Sequence, residues 1–257
     1  MTDELRDWVV AVTGAGSGIG LATVAALRQR GARVAALDLA PDEAGLLGAL
    51  AIVADVRSQS SVDAAAAEVA QRLGGIDALV NNAGIGAVGT VEDNSEDEWR
   101  AVFDVNVLGM VRTSRACLPH LRRSQSASIV NVSSIVASTG LSKRALYGAS
   151  KGAVSALTLA MAADLVHDHV RVNCVAPGTV DTPWVGRLLN AASDPEQERR
   201  ALVARQPMGR LGLAPEIAET IAFLIGPGSS FVTGSCIAVD GGMAGIRVMN
   251  ATSNREP

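Results

Sequence analysis

TGAGSGIG, residues 13–20, follows a β-branched apolar run from Trp8 to Thr13 and opens into a helical run from Leu21. Gly14, Gly18 and Gly20 stand in a GxxxGxG spacing, with Ser17 and Ile19 between them. Glycines in a strand-to-helix turn let the backbone bend tightly and approach a pyrophosphate. The N–H groups and positive dipole of the helix start then stabilise its charge. A strand before the loop and a helix after it are the context this reading requires.

Working outward, short apolar runs recur between longer Ala- and Leu-rich helical stretches: Arg33 to Asp38, Ala51 to Asp55, Ala78 to Asn81, Ser128 to Ser133, Val170 to Val175 and Cys236 to Asp240. Strand and helix in alternation mean a parallel sheet. Runs apolar nearly throughout mean that helices cover both of its faces. The expectation is a doubly wound α/β domain of three layers. Ser95, three before Glu98, marks one helix start, and Pro215 before Glu216 marks another. A chain of 257 residues, 48% hydrophobic and 19% charged, suits one domain, expected over 1–248. The tail 249–257 is expected to be frayed or docked on another subunit.

A formal charge of -4 and the lack of an uncompensated Lys/Arg cluster argue against nucleic acid or an anionic membrane as partner, leaving small molecules. The N-terminal MTDELRDW lacks the plan of a secretory signal, and no uninterrupted apolar run reaches the ~18 residues of a membrane span, so a cytoplasmic protein is expected. Cys117, Cys174 and Cys236 form no CxxC or Cys/His pattern, and His120, His167 and His169 lack ligand spacing. No disulfide and no metal site is expected.

Asp38 ends the second strand run, 18 residues after Gly20, close to the interval at which a carboxylate meets the adenosine ribose hydroxyls. A carboxylate accepts from two hydroxyls and repels a 2′-phosphate, and Leu39 and Ala40 supply no cation, so NAD is favoured over NADP. Asp55 and Val56 at the next strand end face the adenine edge, and NNAG, with Asn82, Ala83 and Gly84, closes the fourth run. All lie at carboxyl ends of parallel strands, where open α/β sheets bind ligands.

Tyr147 and Lys151 stand four apart in YGASK at the head of a helical run that extends to about Leu165, so they share one helical face. An ammonium near a phenol favours phenolate, which is expected to lower the Tyr147 pKa and suit it to proton transfer at a carbonyl or alcohol. Tyr147 is the only tyrosine in the chain. Ser134, at the end of NVSS, can hydrogen-bond a substrate oxygen as charge develops. Asn106, in FDVNVLG, is either a holder of water linking Lys151 to solvent or a buried amide at a helix irregularity.

Taken together, TGAGSGIG, NNAG, the Asn106 context, Ser134, YGASK and PGTVDTP resemble the short-chain dehydrogenase/reductase family over about residues 8 to 242. The resemblance implies a seven-stranded Rossmann sheet, a catalytic tetrad of Asn106, Ser134, Tyr147 and Lys151, and a homotetramer. It implies that Lys151 bonds the nicotinamide ribose and that Pro177, Gly178, Val180 and Thr182 surround the nicotinamide. RVNCVAPGTVDTPWVGRLL followed by RQPMGRLG is similar to the branch with cytosolic type 2 3-hydroxybutyrate dehydrogenase and 2-keto-3-deoxy-L-fuconate dehydrogenase. Those enzymes act on hydroxy or keto carboxylic acids.

Arg144, Arg187 and Arg205 are placed where guanidinium forks can meet on a carboxylate, and equally where arginines sit solvated on helix surfaces. Trp184 fits packing and also the wall of a substrate pocket. Residues 182–208 are where a lid is expected, although the polar SDPEQERR within them fits a plain surface helix as well. Two further readings stand: a 3-oxoacyl thioester reductase, which Asp38 disfavours, and a silent NAD-binding scaffold or sensor, which the tetrad disfavours.

Overall fold

A computed structural model describes residues 3–190 and 192–247; the tail 249–257 lies outside the described residues. Seven parallel strands form one sheet: β1 (Val9–Thr13), β2 (Arg33–Asp38), β3 (Leu50–Val53), β4 (Ala78–Asn81), β5 (Ser128–Val132), β6 (Arg171–Pro177) and β9 (Cys236–Val239). Their spatial order is β3-β2-β1-β4-β5-β6-β9. The chain builds outward from β1 to one edge, then crosses back to build the other half from β4. Loops after β1 and β4 therefore diverge and leave a crevice at the carboxyl ends of the strands. The short β7 (Val180–Asp181) and β8 (Gly212–Leu213) pair separately.

Period-two alternation sorts the strand side chains into two cores. Val10, Val12, Val34, Ala36, Val80, Val130 and Val175 meet Leu27 of α1 (Gly18–Gln29) and Ile217, Ile221 and Leu224 of α9 (Ala214–Ile225). Val9, Ala11, Ala35, Leu37, Leu79, Ile129 and Val172 meet α3 (Gln59–Leu73), α5 (Gly109–Leu121) and α6 (Ala145–Leu165) through Val69, Leu121 and Ala162. The small α2 (Asp42–Leu46) joins β2 to β3, and α4 (Glu96–Phe103) runs into α5 through a π-helical turn, Asp104–Leu108. Ser95 caps α4, its hydroxyl accepting from the Glu98 N–H at 3.3 Å. At α9 the Glu216 carboxylate accepts from the Leu213 N–H at 2.7 Å.

The stretch Ala145–Asp168 is long and apolar enough by composition to cross a membrane. Here it lies along the sheet, burying Leu146, Val154, Ala162 and Leu165 beside the buried polar Ser150, Lys151 and Thr158. Above the strand ends, α7 (Pro183–Asn190) and α8 (Pro195–Ala204) close a small core of their own from Val185, Leu189, Leu202 and Leu211. SDPEQERR forms the outer turns of α8, capped by Asp194, whose carboxylate accepts from the Gln197 N–H at 2.9 Å.

Candidate active site

One cavity of about 670 Å³ occupies the crevice, within the size range of small-molecule and cofactor sites. Its floor is the glycine-rich turn between β1 and α1. Gly14 and Gly18 have φ of +65° and +54°, which side chains rarely adopt. A β-carbon at Gly20 would overlap the Gly14 carbonyl oxygen, so Gly20 sits behind the cavity wall and lets the turn close, whereas Gly14, Ser17, Gly18 and Ile19 line it. Asn82 locks this turn to the β4 exit: its side-chain amide donates to the Thr13 and Gly14 carbonyls at 3.0 and 2.9 Å. The N–H groups of Asn82 and Ala83 both donate to the Thr13 hydroxyl.

Asp38 lines the same end, and its carboxylate accepts from the N–H groups of Gly16 at 2.9 Å and Ala40 at 3.0 Å. Asp55 and Val56 line it too. Arg57, which the sequence reading passed over, also lies there, gripped by Asp55 through Nη2 at 2.7 Å and Nε at 3.0 Å. That grip holds the Asp55 carboxyl below its ordinary value, chiefly through the side-chain hydrogen bond. The turn at the start of α1, the acceptor at the end of β2 and the length of the cavity fit a dinucleotide.

At the other end, Tyr147 lies in the first turn of α6 with Lys151 one turn on and Ser134 facing it from the end of β5. Burial raises the Tyr147 pKa, and only in part do the nearby Ser134 hydroxyl and the Arg144 charge oppose it. This corrects the expectation that Lys151 would lower it. The Lys151 ammonium stands 5.9 Å from the ring centroid and donates to the Val132 carbonyl at 2.8 Å, and burial brings its own pKa down to about 8.

Asn106 does not line the cavity; it sits buried in the π-helical turn. Its side chain accepts from the Ile85 N–H at 2.8 Å and donates to the Ile85 carbonyl at 2.9 Å and the Ser150 hydroxyl at 3.0 Å. Both amide hydrogens are thus used by protein, and only Oδ1 keeps accepting capacity. That oxygen and the Lys151 ammonium both crowd Gly84, where a β-carbon would come within 3.2 and 3.4 Å of them.

Pro177, Gly178, Val180 and Thr182 line the cavity between these two ends. Trp184, on α7, stacks on Tyr147 with ring centroids 6.3 Å apart and planes 24° apart. Its indole presses on Gly86, where any β-carbon would overlap it. Gly86 was not singled out from sequence, because only a contact across the fold reveals its role.

Arg144, Arg187 and Arg205 all line the same cavity. Arg144 is half-buried, and burial first, then the charge of Arg205, lowers its pKa. Glu198 is near enough to favour the Arg144 charge, yet among the described residues none of the three arginines forms an ion pair.

A family profile described as Enoyl-(Acyl carrier protein) reductase matches residues 14–244. The chain is 41% identical over 256 residues to 2-(S)-hydroxypropyl-CoM dehydrogenase 3 of Xanthobacter autotrophicus, covering 96% of this chain and 100% of the relative. It is 38% identical to 2-keto-3-deoxy-L-fuconate dehydrogenase of Xanthomonas campestris, over 90% of this chain and 78% of that one. The ligand-free aldohexose dehydrogenase of Thermoplasma acidophilum superposes with a TM-score of 0.91 at 37% identity, covering 98% of this chain and 99% of that one.

Proposed function

The chain belongs to the short-chain dehydrogenase/reductase family and is an oxidoreductase of CH–OH groups, and we propose that it uses NAD to interconvert alcohol and ketone on a small hydroxy or keto carboxylic acid. The observation that carries the substrate class is that Arg144, Arg187 and Arg205, unpaired among the described residues, line the cavity that holds Tyr147. Guanidinium forks bind carboxylates bidentately, and like charges drawn together gain most from a shared anion. The relative named for 2-keto-3-deoxy-L-fuconate acts on a keto acid.

Dehydrogenases of this family use a nicotinamide cofactor, which supplies or accepts the hydride. The preference for NAD rests on Asp38, an acceptor-only group beside the turn that would cradle the pyrophosphate. Arg57, the nearby cation, is already bound by Asp55 and so is not free for a 2′-phosphate. In reduction, Tyr147 gives its proton to the substrate oxygen while Ser134 donates a hydrogen bond to that oxygen; oxidation runs the same path backwards. Lys151 would hold the cofactor ribose, and Asn106 fixes the backbone on which this end of the site is built.

Exposed apolar side chains, Leu159 on α6 and Phe231 before β9 among them, support a homotetramer; light scattering should report four chains, and a monomer at micromolar concentration would refute it. The activity test is a screen of nicotinamide absorbance across 3-hydroxy acids, deoxy sugar acids, free sugars and simple secondary alcohols, with NAD and NADP in parallel. Turnover of acids with NAD is the expected result. Activity confined to neutral alcohols, or a preference for NADP, would overturn the corresponding half of the reading.

A further inference from the structure

Cys174 and Cys236 are direct register partners on the parallel strands β6 and β9. The next pair along, Val175 and Ile237, belongs to the α1/α9 core, so by the period-two rule both cysteines face the α6 side. Neighbouring strands run ~4.8 Å apart, inside the 4.4–6.8 Å separation of Cα atoms that a disulfide accepts. Cys174 is buried, whereas Cys236, on the edge strand, is exposed. The two thiols are close enough to shift each other's ionisation, with Ser155 of α6 near both and Thr158 near Cys174.

We propose that Cys174 and Cys236 are a vicinal dithiol that small-molecule disulfides oxidise, reversibly, to a cross-strand disulfide joining β6 to β9. The exposed sulfur is the entry point. The neighbouring Cys174 thiol, with help from Ser155, lowers the Cys236 pKa and so favours its thiolate. That thiolate attacks one sulfur of RSSR; the S–S bond breaks, RS⁻ leaves and takes a proton, and Cys236 becomes a mixed disulfide. The neighbouring Cys236 group is the largest cause of the raised Cys174 pKa, and its charge is gone at this step. Cys174 then loses its proton and attacks the Cys236 sulfur, expelling the second RS⁻. Two protein thiols are oxidised and one external disulfide is reduced to two thiols. The third cysteine, Cys117, is buried on the inner face of α5 with its thiol pushed up to about 12, and takes no part.

The bridge would lie three positions before Pro177 and Val239, themselves register partners at the cavity end of the two strands. Ser155 bonds the Ser133 hydroxyl at 2.7 Å and the Lys151 carbonyl at 3.2 Å.

The test uses the full-length protein treated with glutathione disulfide and then denatured for thiol titration and mass spectrometry. Titratable thiols should fall from three to one, with a loss of two hydrogens, a peptide linking Cys174 to Cys236, and full recovery with dithiothreitol. Cys236→Ser should leave the remaining thiols unreacted, and Cys174→Ala should stop at a glutathione adduct on Cys236. Three free thiols after treatment, a stable glutathione adduct on the unaltered protein, or Cys236–Cys236 links between chains would each overturn the proposal.

Discussion

Replacing Lys151 with Met should make the protein more stable and inactive, and the stability gain should vanish at high pH. Lys151 is 4% exposed and among the described residues its only bonded partner is the neutral Val132 carbonyl. Burial without a counter-charge depresses its pKa from 10.5 to about 8. At 1.36 kcal/mol per pH unit, that depression corresponds to ~3 kcal/mol of stability withheld while the ammonium stays charged. The sign follows from proton counts. Below about pH 8 both states hold the proton and the full cost is present. Between about 8 and 10.5 the unfolded chain holds a proton that the native chain has released, so native stability rises with pH. Met abolishes this dependence and forfeits one hydrogen bond to Val132, worth about 1 kcal/mol at every pH. The variant should therefore exceed the parent by ~2 kcal/mol at pH 7 and fall below it by ~1 kcal/mol near pH 10.5. Urea unfolding by circular dichroism at pH 7, 8, 9 and 10, at equal protein concentration, reads the difference, and other alkaline titrations cancel between the two proteins. A difference that stays flat over this range would show that Lys151 is not a desolvated ammonium in the native chain.

Arg144→Ala should raise KM for an acid substrate by roughly 10- to 100-fold, the value of a charge-assisted hydrogen bond of ~1.5–3 kcal/mol, with KM for NAD unmoved; an unchanged acid KM would remove Arg144 from the anion site. Gly20→Ala should weaken cofactor binding more than about tenfold, because its β-carbon forces the turn off the Gly14 carbonyl. Calorimetry of a variant whose circular dichroism is unchanged checks this, and parental affinity would contradict it. Asp38→Ala should narrow the ratio of NAD to NADP efficiency by at least about tenfold by removing the repulsion of a 2′-phosphate; a ratio that does not change would place the discrimination elsewhere.

The strand runs were legible because each is apolar on both faces, and all seven lie where the sequence indicates, with small shifts at their ends. Those shifts have local causes. The third strand ends at Val53, before Asp55, whose carboxylate turns back to bind the N–H and guanidinium of Arg57. The sixth runs on through Pro177, which an ending strand tolerates because its carbonyl side still pairs and no N–H is needed. The two-residue β7 and β8 are too short to carry any periodicity. The Tyr147–Lys151 spacing was legible as a helical face; the electrostatics were not. What decides them is the burial of both groups, which no local pattern encodes.

The three arginines lie further still from what spacing can show. Arg144 precedes α6, Arg187 belongs to α7 and Arg205 follows α8, so their lining one cavity depends on how α7 and α8 fold over the strand ends. A core of Val185, Leu189, Leu202 and Leu211 fixes α7 against α8. The same packing brings Trp184 onto Tyr147 and Gly86. Each arginine alone is an ordinary surface residue, yet Arg205 lies close enough to Arg144 to disfavour its charge. A fold gains nothing from holding like charges together in a half-enclosed space, where the repulsion is less screened than in open water. The closeness of Arg144 and Arg205 is therefore a cost to the empty protein that an anion, seated between the guanidinium groups and the Tyr147 hydroxyl, would relieve. On this reasoning the acid substrate should stabilise the protein against unfolding more than its neutral alcohol counterpart does, and Arg144→Ala should erase that difference.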